Sequence, residues 1–172
     1  MAKTVKLETI NHKMKVVNIH SREIAQDAEK IAPLFTTLSS KNDMIWPSEK
    51  WPRMKLDKGM TIGSAGGHGP VGYFVTDVEK GRLIRSQFTK PANFHGYHQF
   101  ELIPQGQGHS LLQHTIVMNT SGLGFLSWSL TVRWLHDALV EDAMDKVENH
   151  FSTETKKSKW NLWVRILRSL LK

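Results

Sequence analysis

Apolar and polar residues alternate along Met14–Ile24, with Val17, Ile19 and Ser21 on one face and Val16, Asn18 and His20 on the other. That period predicts a strand but leaves open which face turns inward. From Asp27 to Leu38 the spacing becomes helical, through Ala28, Ile31, Leu34, Phe35 and Leu38, although Pro33 limits how much of it is one regular helix. The next piece, Lys41–Met54, reads as helical or irregular, and its Trp46-Pro47 and Trp51-Pro52 pairs suggest a bent, aromatic-rich cover. Strand patterns separated by turn residues then follow: Met60–Ser64, the Gly-rich Ala65–Pro70, Val71–Val78, the turn Glu79-Lys80-Gly81, and Leu83–Phe88. Gly96–Ile103 and Ser110–Thr120 complete the series, joined by a hairpin loop at Pro104-Gln105-Gly106-Gln107-Gly108. Consecutive short strands of this kind imply an antiparallel meander. After Gly122 and Gly124 the period switches to 3.6, placing Trp128, Val132, Leu135, Leu139, Ala143, Val147 and Phe151 on one face. Asp137, Glu141, Asp145 and Glu148 fall opposite, as on a solvated surface. Such a helix is roughly 36 Å long, enough to cross the concave face of a curved sheet.

At 172 residues the chain suits one domain with a single sizeable core, or a core with a cavity in it. The net charge of +7 is unevenly placed: residues 1–154 hold all 16 acids against 17 Lys and Arg, and 155–172 hold Lys156, Lys157, Lys159, Arg165, Arg168 and Lys172 with no acid. The basic character therefore belongs to a tail, and the body gives no sign of nucleic-acid binding. The chain has no cysteine, which excludes disulfides, thiolate nucleophiles and cysteine metal sites. Lys3, Lys6, Lys13 and Lys15 interrupt the N-terminal stretch, which lacks the apolar run of a secretory signal, so a cytoplasmic protein is expected.

Four segments carry a family likeness: Gly67-His68-Gly69-Pro70-Val71-Gly72-Tyr73, Thr76-Asp77-Val78-Glu79-Lys80-Gly81-Arg82, Gly96-Tyr97-His98-Gln99-Phe100-Glu101-Leu102, and Leu135-His136-Asp137-Ala138-Leu139-Val140-Glu141-Asp142-Ala143. With the element order over about residues 14–151, they make the chain resemble the SRPBCC superfamily, the START-like and polyketide-cyclase-like helix-grip proteins. The resemblance implies an α+β fold: a first strand, two short helices, six more strands, and a long C-terminal helix gripped by a curved antiparallel sheet around an internal cavity. It implies no single reaction, since that superfamily includes lipid carriers, cyclases and chaperone-associated modules.

Within the hairpin, Phe100 and Leu102 place His98 on the inward side of its strand, and Leu112, Ile116 and Met118 do the same for His114. If Leu102 pairs with Leu112, His114 faces Phe100 and the two imidazoles are diagonal neighbours. They are either core histidines bonded to protein partners, or ligand contacts, or an acid/base pair. Trp46, Trp51, Phe88, Phe100, Ile116 and Trp134 are candidates for the wall of a cavity that takes a flat or greasy ligand. His68 sits in the Gly-rich stretch, which reads as a tight strand connection or a cavity-mouth loop; without a Gly-Lys-Ser/Thr ending it is no phosphate loop. No metal and no cofactor are expected: His95 and His98 point to opposite faces of a strand, and no His-Glu-x-x-His motif occurs. No nucleophile elbow supports hydrolysis.

Two functions of different class follow: carriage of a hydrophobic small molecule such as a lipid, isoprenoid or polyketide-like compound, or a cyclase/dehydratase using His98 or His114. A protein-interaction groove is a third. The tail adds a separate signal. On a helical wheel Trp160, Trp163, Val164, Leu167, Leu170 and Leu171 share one face, and Asn161, Arg165, Arg168, Ser169 and Lys172 share the other. Preceded by Lys156, Lys157 and Lys159, this basic amphipathic helix suits an anionic membrane surface, the body of the domain, or a second copy of the chain.

Overall fold

The computed structural model describes residues 13–170; Lys3, Lys6, Leu171 and Lys172 lie outside them. Strand β1 (Met14–Ile24) is followed by α1 (Ala28–Phe35), whose Ile31, Leu34 and Phe35 are buried. Residues 41–54 form hydrogen-bonded turns rather than a second helix, so the irregular reading of that piece applies. Asp43 explains the path: its carboxylate accepts the backbone N–H groups of Ser39, Ile45 and Trp46 and pins the turn that buries both tryptophans.

The remaining strands are β2 (Lys55–Leu56), β3 (Ala65–His68), β4 (Val71–Glu79), β5 (Leu83–Lys90), β6 (His95–Gly106) and β7 (His109–Thr120). They make one antiparallel sheet of seven strands in the order β1-β7-β6-β5-β4-β3-β2. Met60–Ser64, expected as a strand, is turn, and the Gly-rich stretch expected as a connection is instead β3. The reason is space. A Cβ on Gly66 would lie 1.9 Å from the Lys55 carbonyl oxygen, and one on Gly67 2.1 Å from that of Val71, so these glycines permit close strand pairing. The β6–β7 register pairs Leu102 with Leu112 and Phe100 with His114, as the apolar pattern predicts.

A continuous helical run spans Leu123–Phe151: α2 (Leu123–Ser127), a π-helical turn over Trp128–Val132, and α3 (Arg133–Phe151). Its apolar face fills the concavity of the sheet. Its acidic face is not solvated as expected. The inward face of β1 is the polar one, Asn18, His20 and Arg22, while Val17 and Ile19 point outward at 53% and 56% exposure. Arg22 donates to Glu141, Asp145 and Glu148, Asn18 donates to Asp137, and Asp145 is buried. A charged strand face facing a charged helix face satisfies both, which period counting on either element alone cannot reveal.

The last element, α4 (Leu162–Leu170), lies on the body with Val164 and Leu167 buried. Trp160 donates its indole N–H to Asp142, Trp163 donates to the Leu130 carbonyl, and the Arg168 guanidinium stacks 4.5 Å above Trp51 and donates to the Lys50 carbonyl. Two buried apolar clusters result. The larger centres on Phe35, Trp46, Tyr73, Phe100, Leu112 and Met144; the smaller comprises Val16, Phe94, Ile116, Met118 and Trp128.

Candidate functional site

Between the two clusters lies a cavity of about 340 Å³, walled by residues of both. The turns of residues 41–54 supply Trp46 and Trp51, β5 supplies Phe88, β6 and β7 supply His98, His114 and Ile116, and the helical run supplies Trp128, Val132, Leu135, His136 and Leu139. The surface is apolar apart from its imidazoles, Thr131 and the Arg168 side chain contributed by α4. Together with Tyr73 and His20, which do not line the space, the imidazoles form a row from sheet to helix: His68 and Tyr73 rings are 5.7 Å apart, Tyr73 and His98 4.6 Å, His98 and His114 5.7 Å, His114 and His136 4.9 Å, His136 and His20 6.0 Å.

Strand geometry produces the row. His98 and His114 occupy inward positions on neighbouring strands, one pair out of register, while His136 comes down from α3 onto His114. Burial deprives these imidazoles of water and disfavours their charged form. His68 and His98 are lowered to about 3 by burial, with small repulsion from other imidazoles, and His114 is lowered well below its ordinary value for the same reasons. His136 is also lowered by burial, which outweighs the nearby Asp137 carboxylate. Neutral rings need a donor and an acceptor each. Yet His98 Nε2, His114 Nδ1 and both ring nitrogens of His136 are buried without a hydrogen-bond partner. A buried polar atom left alone costs about 1–3 kcal/mol, so such a group calls for an explanation.

The opposite end of the row is different. His20 donates from Nδ1 to Glu141 at 2.7 Å and from Nε2 to Asp137 at 3.0 Å. Burial alone would depress it, but the two carboxylates outweigh that and raise it above its ordinary value. Asp137 is opposed by its own burial and still held well below the usual carboxylate range by His136, His20 and Asn18. His136 Nδ1 lies 3.5 Å from Asp137 Oδ1 and makes no hydrogen bond to it. Among the described residues, His20, His136 and Asp137 form a group whose ligating atoms all lie within 4.8 Å of one another.

Of the wall residues expected from sequence, Trp46, Trp51, His68, Phe88, His98, His114 and Ile116 line the cavity. Phe100 and Trp134 do not. Phe100 lies one pair further along, in the larger cluster, with its ring 4.6 Å from that of His114, which stands between it and the space. Trp134 is turned about 100° from Leu135 by helix geometry, donates to the Ser129 carbonyl across the π-helical turn and is covered by Arg133. His136 also lines the cavity and is not among the residues expected from sequence, although Leu135 and Leu139 beside it mark the inward face. Of the tail residues, Arg168 lines the cavity, Trp160 and Leu167 face the body, and Lys156 pairs with Glu148. Lys157, Lys159, Trp163 and Arg165 remain exposed. Among the described residues no helix is long and apolar enough to cross a membrane.

No protein-family model matches the chain, and no curated protein sequence does. Solved structures do match. Norcoclaurine synthase from Thalictrum flavum, in complex with dopamine and hydroxybenzaldehyde, superposes with a TM-score of 0.62 over 90% of this chain and 99% of its own, at 12% identity. A protein from Thermobifida fusca gives 0.58 over 80% and 97%, also at 12% identity. The protein XoxI from Bacillus cereus gives 0.57 over 78% and 94%, again at 12%. Likeness at this identity is a likeness of fold, and it agrees with the resemblance read from the sequence: this chain has the Bet v1-like helix-grip fold.

Proposed function

We propose that the protein binds and carries an apolar small molecule in the cavity between sheet and long helix, with neutral imidazoles engaging its few polar atoms. The observation behind this reading is the set of buried ring nitrogens, on His98, His114 and His136, that find no partner in the protein and border a space whose other lining is mostly apolar, with Thr131 and Arg168 as exceptions. A volume of about 340 Å³ is at the small end for ligand sites, which favours a compact ring compound or short isoprenoid over a two-chain lipid. Each neutral imidazole offers one donor and one acceptor, which suits hydroxyl or carbonyl groups.

A cyclase or dehydratase is the second reading, supported by the row of imidazoles. It is less favoured because a general base works best with a pKa near the working pH, and His98, at about 3, is a weak base in the unliganded protein. Carriage also needs a place to load. The outward side of α4 leaves Leu162, Trp163, Ile166 and Leu170 exposed beside Lys157, Lys159 and Arg165, a charge and apolar pattern that fits an anionic membrane surface. Native mass spectrometry on gently purified protein, with displacement of a fluorescent lipophile, tests the binding reading. A bound apolar adduct, with at least tenfold weaker probe binding in His98→Leu/His114→Phe, is expected. A cavity that neither carries nor accepts a lipophile would overturn the proposal.

A further inference from the structure

We infer that His20, His136 and Asp137 form a site for one borderline-soft dication of the Zn²⁺ type, seated where β1 meets α3 behind the cavity wall. Three observations converge. First, the spacing is within reach of it: His20 Nε2 and Asp137 Oδ1 are 3.0 Å apart, His136 Nδ1 and the same oxygen 3.5 Å, and the ligating atoms of all three residues lie within 4.8 Å of one another, against the roughly 3.3–3.6 Å edges of a tetrahedron with metal bonds of about 2.0–2.2 Å. Second, His136 is left with ring nitrogens that no protein atom satisfies, although it sits against a carboxylate. A metal uses one of them. Third, Glu141 accepts from His20 Nδ1 and so fixes the tautomer that presents Nε2 inward, the arrangement by which a carboxylate orients a metal-binding imidazole.

Charge points the same way. The face of α3 toward β1 carries Asp137, Glu141, Asp145 and Glu148, and the cations reaching it are Arg22, Lys156 and His20. A dication that replaces the proton on His20 Nε2 removes the remaining imbalance at the Asp137 end. Because His136 also lines the cavity, the fourth position falls to water or to a polar atom of a cavity ligand. The site does not depend on the carriage reading. A cavity that accepts no lipophile leaves it intact.

Tag-free protein stripped with a chelator is titrated with Co²⁺, which reports coordination through its visible bands, and then with Zn²⁺. One Co²⁺ per chain with bands of a four-coordinate ion, displaced by Zn²⁺, is expected. Asp137→Asn and His136→Ala lower affinity at least tenfold, whereas His98→Leu leaves it unchanged. Glu141→Gln, a positioning change, lowers affinity about 10–100-fold while leaving the band pattern intact. Should His136→Ala fail to fold, Asp137→Asn, which preserves shape, carries the test. Absence of stoichiometric binding, or binding undiminished in Asp137→Asn, overturns the inference.

Discussion

The two ends of the long helix live under opposite rules. Around Asp142–Val147 the packing is closed: Val140, Ala143, Met144 and Val147 are fully buried, and Asp142 accepts from Lys50 at 2.5 Å, Trp51 at 2.8 Å and Trp160 at 2.9 Å. From Trp128 to Leu139 the helix opens into a π-helical turn, borders a cavity, and holds His136 with its nitrogens unpaired. One half anchors the turns of residues 41–54 and α4 to the body; the other leaves space and unmet hydrogen bonds. An element firmly held at one end can tolerate a costly arrangement at the other, which is how ligand sites persist in folded domains.

The severest way to break this contrast is Asp142→Ala. It strands the Lys50 ammonium and two indole N–H groups in the closed half, and should cost about 3–5 kcal/mol in urea unfolding. A loss below about 1 kcal/mol would show that the anchoring half is not where stability resides. A smaller effect comes from acid. His98 is held neutral in the folded state down to about pH 3, whereas in the unfolded chain it takes up a proton near 6.5. The unfolded state therefore binds the extra proton between those values, and stability falls as pH drops through that window. The slope is about 1.4 kcal/mol per pH unit, or about 2 kcal/mol between pH 6.5 and 5. His68, His114 and His136, lowered by the same burial, add to the parent's slope, so denaturant titrations at the two pH values should show at least this slope in the parent and one shallower by this amount in His98→Leu.

At neutral pH the same substitution sharpens the comparison by reversing the usual sign. Because the imidazole nitrogen it removes has no partner, His98→Leu should raise stability by about 1 kcal/mol while weakening lipophile binding. A marked loss of stability would mean that the imidazole is satisfied in solution. The smallest change is expected on the outside of α4. Arg165→Glu should move stability by no more than about 0.5 kcal/mol and reduce flotation with anionic vesicles at low salt. If the parent protein ignores such vesicles, the loading surface is wrongly assigned.

What the sequence reveals divides along similar lines. Strand β7, the β6–β7 register and the long helix follow from local period, and with them the inward placing of His98 and His114. Part of the cavity wall is legible where a histidine shares a face with aliphatic neighbours, as at His98 and His114, but Phe100 shares that face too and lies outside the wall. What stayed hidden depends on partners distant in sequence. Asp145 looks like a solvated acid until Arg22 faces it from β1, and Arg168 looks like a surface charge until Trp51 lies beneath it. β3 was hidden differently: glycines that mark a loop by composition here allow two backbones to touch.

The division of the core into two clusters has a volumetric consequence. Where that space is dry in the folded chain, unfolding floods it, and the unfolded chain with its water then occupies less volume than the native protein. Hydrostatic pressure should therefore unfold this protein readily, with a volume change toward the larger end of the about −20 to −100 mL/mol found for globular domains. An occupant that fills the gap should make the protein stiffer to compression, and resistance to pressure becomes a gauge of how full the cavity is.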